Sequence, residues 1–137
     1  MTRHFDPQAA IATPVAARQR RGKRAWLAGA AAEDSVAHRY TQAGARLLAK
    51  RWRGKGGELD LILRDETGLV FVEVKSAGSF DRAIAALSRR QIGRICTAAQ
   101  EFAGTQPDGL LSDMRFDLAM VDGQGRIEVL ENAFGEF

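Results

Sequence analysis

The chain has 137 residues, with 20 basic and 17 acidic side chains, a formal net charge of +3 and 45% hydrophobic residues. This length is typical of one domain, and the apolar fraction is large enough to form a buried core. Cys96 is the single cysteine, which excludes a disulfide within the chain, and with two histidines a Cys/His zinc site is nearly excluded. A lone thiol fits a reducing cytosol, so we expect a cytoplasmic protein. No apolar run reaches membrane-spanning length, so no membrane partner is predicted.

The positive charge is concentrated at the N-terminus. Residues 1–24 hold six basic residues and one acidic residue, a balance of 6 − 1 = +5, whereas residues 25–137 hold 14 basic and 16 acidic residues, a balance of 14 − 16 = −2. Net charge therefore gives no argument for nucleic-acid binding by the body of the protein. Residues 1–24 include Pro7 and Pro14 and show no sustained hydrophobic period. They are predicted to be a basic, disordered or loosely attached tail that precedes a domain at residues 25–137.

The predicted elements alternate between helix and strand. An Ala-rich segment from about Gly29 to Ala43 predicts a helix that Gly44 ends, and residues 46–51 predict a short strand. Strands are then predicted at 58–64 and 69–76, a basic amphipathic helix at about 83–103, and a strand hairpin at 114–121 and 126–130. The order αβββαββ indicates an α/β fold with a mixed β-sheet flanked by helices.

Charged residues interrupt the first predicted hairpin in a regular way. Because side chains alternate between the faces of a strand, Glu58 and Asp60 share one face, and so do Glu73 and Lys75 on the next strand. With a turn near residues 65–68, facing positions sum to about 133, which sets Asp60 opposite Glu73 and Glu58 opposite Lys75. The opposite faces are predicted to hold Leu59, Leu61 and Leu63 on one strand and Val70, Val72 and Val74 on the other.

Two facing carboxylates repel each other, by about 3 kcal/mol at ~5 Å and an effective dielectric constant of about 20. A proton on one acid, or a cation between the two, relieves this repulsion. The available ligands are carboxylate and backbone oxygens, which favours Mg²⁺ or Mn²⁺ as the cofactor. An acid pair that holds such an ion beside Lys75 suits phosphodiester hydrolysis, since the metal activates a water molecule and the lysine orients it or stabilises developing charge.

Three segments together resemble a known group of enzymes: "GELDLI", "VFVEVK" after a short turn, and "RRQ" on the next helix. They resemble the PD-(D/E)xK nuclease superfamily, in which an Asp and a Glu-x-Lys on neighbouring strands carry the metal and the water. More narrowly, the chain is similar to the YraN-like family of uncharacterised bacterial proteins. This resemblance covers residues 29–121 and includes Arg115-Phe116-Asp117 on a late strand. It implies a single domain with the restriction-endonuclease-like fold.

The resemblance also implies roles for individual residues. Asp60 and Glu73 would be metal ligands, the Val74 carbonyl would be a third ligand, and Lys75 would be the catalytic lysine. The alternative for the charged residues is a cross-strand salt bridge on a solvated sheet face. Their apolar neighbours argue against a solvated face.

Three more residues are catalytic candidates with open alternatives. By the resemblance, Glu33 would reach the site from the first helix and Gln91 would orient a phosphate or a water molecule. Both are equally compatible with ordinary polar positions on helices. Glu58 shares a face with Asp60, but it could also pair with Lys75 or with a nearby arginine.

Basic residues near the acid site are predicted to contact nucleic-acid phosphates: Arg51, Arg53, Lys55 and Arg90. The alternative is that they line a solvated strand edge or the exposed side of a helix. The chain departs from the family pattern at Lys75-Ser76-Ala77, where Lys-Thr-Arg is usual, and Arg51 and Arg90 stand where Asn and Lys are usual. These departures concern phosphate contacts and substrate preference, since the acid pair and the lysine are intact.

The sequence thus predicts a Mg²⁺- or Mn²⁺-dependent nuclease, with DNA as the expected substrate by analogy with the superfamily. Two alternatives remain open. One is a non-catalytic nucleic-acid-binding module on the same fold. The other is an accessory protein that completes its site only with a protein partner or in a homodimer.

Overall fold

The structure is a computed structural model that describes the backbone of residues 14–134 and the side chains of residues 28–134 other than Phe80. The chain divides between Ala31 and Ala32 into two units, and the described β-sheet belongs to the second. Residues 1–13 of the predicted N-terminal tail lie outside the described part of the chain. Residues 14–24 belong to the first helix.

The first helix, α1, spans Pro14–Gln42, so the predicted start near Gly29 is wrong. Proline is favoured at the first position of a helix because the N–H that it lacks has no helical acceptor there. The predicted stop is confirmed, because Gly44 follows the helix with a φ of +104°, which glycine adopts without strain. On the last turns of α1, Ala32 and Val36 are buried against the sheet.

Five strands form one sheet in the order β1-β2-β3-β4-β5. Neighbouring strands are antiparallel except for β3 and β4, which run parallel and are joined by a helical crossover. The mixed sheet and its helices confirm the predicted α/β architecture, which is consistent with the restriction-endonuclease-like fold. The strands are β1 Arg46–Arg53, β2 Glu58–Asp65, β3 Gly68–Ser76, β4 Met114–Val121 and β5 Ile127–Leu130.

The crossover contains two helices where one was predicted. Helix α2 spans Phe80–Ala85 and helix α3 spans Arg89–Ala103, and a 3-10 turn follows at Gly109–Leu111. Ser88 separates the helices because its backbone is extended and its hydroxyl accepts a hydrogen bond from the N–H of Gln91 at 3.1 Å. This cap fixes Gln91 in the first turn of α3. In the described part of the chain, no helix is both long and apolar enough to cross a lipid bilayer.

The two faces of the sheet support separate hydrophobic cores. The core under α3 contains Phe71, Ile95 and Phe102, and Trp52 packs edge-on against Phe102 with ring centroids 5.4 Å apart. The core under α1 contains the buried apolar residues of α1 together with Val72 and other β-strand residues. Both faces of the central strands are therefore dry, which explains the near-continuous apolar runs of β2 and β3.

The pairing of β2 with β3 has the predicted register. Ile62 lies opposite Phe71 and Leu61 lies opposite Val72, so facing positions sum to the expected 133. The regular pairing of the two strands ends at Leu61 and Val72. The next residue on the β2 side is Asp60, which therefore lies where the two strands stop pairing regularly.

One prediction about the faces of β2 is wrong. Leu59 packs with Ile62 in the core under α3, whereas Leu61 and Leu63 belong to the core under α1. Strict alternation would have put Leu59 with the other two leucines. The alternation therefore breaks at Asp60, at the same point where the β2–β3 ladder ends.

A buried acid joins α1 to β4 and to the β2–β3 turn. Asp117 is 1% exposed and accepts hydrogen bonds from the Tyr40 hydroxyl at 2.6 Å, Arg115 Nε at 3.0 Å and the Asn132 N–H at 3.0 Å. Arg115 also donates to Asp65 Oδ2 at 3.3 Å. Burial and the hydrogen bond to Asp117 raise the pKa of Tyr40, so the phenol remains a donor. This network gives a structural role to Arg115 and Asp117, two residues of the Arg115-Phe116-Asp117 motif on β4.

Replacing Asp117 with Ala removes the acceptor that Arg115 and Tyr40 share. We expect the free energy of unfolding to fall by about 3 kcal/mol, because the Tyr40 hydroxyl and the Asn132 N–H lose their acceptor and Arg115 keeps only Asp65 as an acidic partner. Urea denaturation measures the change. Tyr40→Phe is the matched control, since it removes one hydrogen bond and no charge, at a cost of about 1.5 kcal/mol. A loss in Asp117→Ala no greater than the loss in the control would contradict the ion-pair interpretation.

Candidate active site

Two carboxylates meet where the β2–β3 ladder ends. Asp60 Oδ2 accepts a hydrogen bond from the backbone N–H of Val74 at 2.9 Å, so this side chain satisfies a backbone donor of β3. Glu73 is 8% exposed, and its carboxyl group is within hydrogen-bonding reach of Asp60. The structure thus brings the two predicted metal ligands together and places the backbone of the third, Val74, beside them.

The surroundings of Glu73 favour its neutral form. Burial raises the pKa of Glu73 to about 8, and the charge of Asp60 and the hydrogen bond between the two acids act in the same direction. Lys75 opposes this shift, because its Nζ lies 3.5 Å from Glu73 Oε1. A single lysine does not compensate two adjacent acids, so the site favours the uptake of a proton or of a cation.

Gln91 reaches the acid pair from the first turn of α3. Its Nε2 donates a hydrogen bond to Glu73 Oε1 at 3.0 Å. The same oxygen is the one nearest to Lys75, so two donors hold it from different elements. Lys75 and Gln91 therefore both contact Glu73 directly, and their predicted catalytic roles stay predictions.

Glu33 is linked to the surroundings of the acid pair by its contact with Arg51. Glu33 Oε2 accepts a hydrogen bond from Arg51 Nε at 2.7 Å, and the side chains are 12% and 31% exposed. Arg51 lies on β1 between Lys50, which pairs with Leu61, and Trp52, which pairs with Leu59. The hydrogen bond to Glu33 raises the pKa of Arg51, and the charges of Glu58 and Asp60 raise it further. Arg51 was predicted as a phosphate contact, and the structure places it among carboxylates instead of in open solvent.

Glu58 occupies the rim of the site. It is exposed, and its Oε2 lies 3.4 Å from a terminal nitrogen of Arg53. This contact matches the alternative in which Glu58 pairs with a nearby arginine. Its predicted catalytic role stays a prediction.

A basic cleft adjoins this rim, with a volume of about 380 Å³. Its charged lining consists of Arg53, Lys55, Glu58 and Arg94. The predicted phosphate contact Arg90 is exposed on the first turn of α3, but Arg94, one turn further along, is the helical residue that lines the cleft. The spacing from Arg90 to Arg94 puts both on one side of the helix, which is the signal that could have identified Arg94.

Glu101 on α3 fixes the glycine-rich loop that forms the floor of the cleft. Its carboxylate accepts hydrogen bonds from the backbone N–H groups of Lys55 at 2.7 Å and Gly56 at 2.6 Å. The loop approaches α3 so closely that a Cβ atom on Gly57 would lie 3.1 Å from the carbonyl oxygen of Arg94, and one on Gly56 would collide with Thr97. Sequence reasoning did not single out Glu101, because its partners are more than 40 positions away.

The donor set fits a hard divalent ion. No cluster of three or more His, Cys, Asp or Glu side chains suited to a metal occurs among the described residues. Asp60 and Glu73 supply two carboxylates, and the Val74 backbone is adjacent to them. Mg²⁺ usually keeps several water ligands and needs only one or two carboxylates, so this arrangement suits it.

The chain matches the model of the uncharacterised protein family UPF0102 over residues 32–121. It belongs to this family. UPF0102 corresponds to the YraN-like group that the sequence motifs resemble, and the matched region includes the acid pair, its lysine, Glu33 and Gln91.

Curated UPF0102 proteins from several bacteria are similar to this chain over most of their length. The UPF0102 protein of Ruegeria pomeroyi is 53% identical over 115 residues, which cover 84% of this chain and 94% of the relative. The UPF0102 protein of Dinoroseobacter shibae is 54% identical over 121 residues, which cover 88% of this chain and 90% of the relative. A UPF0102 protein of Cereibacter sphaeroides is 50% identical over 113 residues, which cover 82% of this chain and 97% of the relative.

The raised pKa of Glu73 makes the stability of the metal-free UPF0102 domain depend on pH. The unfolded chain releases this proton near pH 4.5, whereas the folded protein retains it up to about pH 8. The folded state is therefore penalised as pH rises through this window, by at most about 1.4 kcal/mol per pH unit. We expect Glu73→Gln to remove this dependence and to stabilise the protein relative to wild type at pH 8 more than at pH 5.

Chemical denaturation in EDTA across pH 5–9 measures this effect. Glu58→Gln is the matched control, because it neutralises an exposed carboxylate at the rim of the same site. Parallel pH profiles for wild type and Glu73→Gln would show that Glu73 does not titrate in this way.

Proposed function

We propose that this protein is a Mg²⁺- or Mn²⁺-dependent nuclease that hydrolyses phosphodiester bonds of nucleic acids in the cytoplasm. The observation that supports this proposal is the contact between Asp60 and buried Glu73, with Lys75 and Gln91 on the same Glu73 oxygen. DNA is the proposed substrate on the basis of the resemblance to the PD-(D/E)xK superfamily.

The acid pair is better explained by catalysis than by fold stability. Two adjacent acids with one lysine leave a buried site short of positive charge, which destabilises the folded protein. Asp117 shows the contrasting case, in which a buried acid is surrounded by donors from three other residues. A structural salt bridge would need no second acid next to Glu73.

The proposed ligands of the ion are Asp60, Glu73 and the Val74 carbonyl. When bound there, a divalent ion polarises the phosphodiester and lowers the pKa of a coordinated water. The Val74 N–H holds Asp60 in place, and Gln91 holds Glu73. Both acids are thus oriented before any ligand arrives, which lowers the cost of reorganisation.

Lys75 carries the positive charge nearest to the acid pair. Its ammonium group hydrogen-bonds and orients the attacking water, and it stabilises the negative charge that develops on the phosphate oxygens. The half-buried position of the Lys75 side chain strengthens this interaction, because the surrounding dielectric constant is lower than that of water.

The basic cleft is the proposed contact surface for the nucleic-acid backbone. Arg53, Lys55 and Arg94 outnumber the single acid Glu58 in its charged lining. Glu58 and Asp60 are two residues apart on β2, which corresponds to about 7 Å along a strand. A phosphate in the cleft would therefore belong to a nucleotide close to the one that is cleaved.

The decisive experiment compares cleavage of a panel of single-stranded, duplex, flap and four-way-junction DNA in Mg²⁺, Mn²⁺ or EDTA. We expect metal-dependent cleavage by the full-length protein. Asp60→Asn and Lys75→Ala are expected to lower the rate by at least about 100-fold, because they remove a metal ligand and the charge beside the water. Glu128→Gln is the matched control, an exposed acid on β5 that should leave the rate unchanged.

Two results would contradict the nuclease assignment. One is the absence of cleavage in every metal, and the other is cleavage that survives in both site variants. DNA binding without cleavage would favour a non-catalytic nucleic-acid-binding module. Cleavage that appears only at protein concentrations at which the chain self-associates, or only with an added protein, would favour a site completed by a homodimer or another partner.

The cleft makes a separate prediction about salt dependence. In an Asp60→Asn background that prevents cleavage, Lys55→Gln and Arg94→Gln should each reduce the slope of log K against log[salt] by about 1, the value for one lost phosphate contact. Arg46→Gln is the matched control, since Arg46 is an exposed arginine at the opposite end of β1. Equal slopes for all three variants would exclude the cleft as the phosphate-binding surface.

A further inference from the structure

The carboxylate of Glu101 holds the loop that joins β1 to β2. This loop consists of Gly54, Lys55, Gly56 and Gly57, and the Gly54 N–H closes it by donating to the Gly57 carbonyl oxygen at 2.9 Å. The N–H of Lys55 donates to Glu101 Oε2 at 2.7 Å, and the N–H of Gly56 donates to Glu101 Oε1 at 2.6 Å. The two oxygens of one side chain thus fix two successive peptide groups at the centre of the loop.

This contact requires a loop whose backbone is flexible on its own. A Cβ atom on Gly54 would lie 2.5 Å from Glu101 Oε2, so glycine is what lets the carboxylate approach there. Glycine also loses more conformational freedom on ordering than any other residue. Because three glycines surround it, Lys55 keeps a defined position only while the loop is anchored, and the Glu101 carboxylate supplies that anchor.

The position of Glu101 is unfavourable for an ordinary acidic residue of a helix. It lies in the last turn of α3, where the helix dipole disfavours a negative charge. Among the residues that the structure describes, no lysine or arginine forms an ion pair with it. The hydrogen bonds from the two loop N–H groups compensate its charge instead, so this acid is best explained by its contact with the loop.

The anchored loop presents Lys55 to the basic cleft. Lys55 lines the cleft together with Arg53 and Arg94, whereas Glu101 holds the loop from α3 and is not one of the lining residues. A phosphate in the cleft would meet a lysine whose backbone is already fixed, so less conformational entropy is lost on binding. Without Glu101, the same contact would require the ordering of Lys55 and its three glycines at the moment of binding.

We propose that Glu101 is a positioning residue for nucleic-acid binding, which acts through Lys55, so that an acid strengthens the binding of a polyanion. This inference rests on the proposed function only in that the basic cleft contacts nucleic-acid phosphates. The sign of the effect separates it from simple electrostatics. Removal of a negative charge close to bound nucleic acid by itself increases affinity, whereas loss of the anchor decreases it.

Binding of a fluorescently labelled DNA duplex to the full-length protein in the Asp60→Asn background tests the proposal without any measurement of cleavage. We expect Glu101→Gln to weaken binding about tenfold, because its amide accepts only one of the two loop hydrogen bonds and the contact of Lys55 with a phosphate is lost. The slope of log K against log[salt] should fall by about 1. Glu101→Ala should act in the same direction. The matched control Glu58→Gln removes an acid of the cleft lining and should instead strengthen binding.

Double variants show whether Glu101 acts through Lys55. Addition of Glu101→Gln to Lys55→Gln should cause no further loss of affinity, because the positioned side chain is already gone. Addition of Glu101→Gln to Arg94→Gln should cause the full loss, since Arg94 lies on the helix and not on the loop. Thermal melts establish that each variant is folded.

Several outcomes would overturn the proposal. They are equal or tighter DNA binding by the folded Glu101 variants, a loss that is the same with and without Lys55, and unfolding of both Glu101 variants, which would assign the acid to the stability of the whole domain. If wild type cleaves DNA and the Glu101 variants bind as tightly as their parent, this inference alone fails. The expected losses of binding without cleavage of any DNA would support it while the nuclease assignment fails. Absence of DNA binding would overturn it together with the cleft as a phosphate-binding surface.

Discussion

The interior of this protein is organised around two acids that meet at the end of a β-ladder. Regular pairing of β2 with β3 stops one residue short of Asp60, and its carboxylate then takes the N–H of Val74 as its partner. Glu73 faces it from a buried position. The contacts around the pair supply donors to these acids from β3 and from α3. The order of elements in the fold is what brings donors so distant in sequence to one point.

Much of this arrangement followed from local rules. The β2–β3 register was predictable because a short turn fixes which positions face each other, and the alternation of β3 put Glu73 and Lys75 on one face. The prediction for Leu59 failed because the alternation rule assumes an unbroken strand, and β2 changes its pattern at Asp60. The boundary between α2 and α3 was missed because the segment is continuously helix-favouring, and only the cap at Ser88 interrupts it.

What escaped prediction depends on contacts between distant positions. Glu101 fixes a loop more than 40 residues away, and Tyr40 donates to Asp117 across a separation of 77. A single sequence carries no local signal for such pairs, since each residue is an unremarkable polar residue of a helix or strand. Asp117 and Glu73 look alike in sequence as acids within apolar strands. They differ in the structure because one is surrounded by donors and the other lies against a second acid.

The parallel pairing of β3 with β4 has a consequence for the order in which the protein folds. The β1-β2-β3 meander closes over short turns, whereas β4 can join only after the whole α2–α3 crossover has looped back. Contacts between near neighbours in sequence form sooner than distant ones, because less chain entropy is lost when they close. We therefore expect Asp60 and Glu73 to meet first in a hairpin that is still hydrated and to lose their water when α3 docks. That late step carries the electrostatic penalty, so acidic solution should accelerate the final approach to the native state.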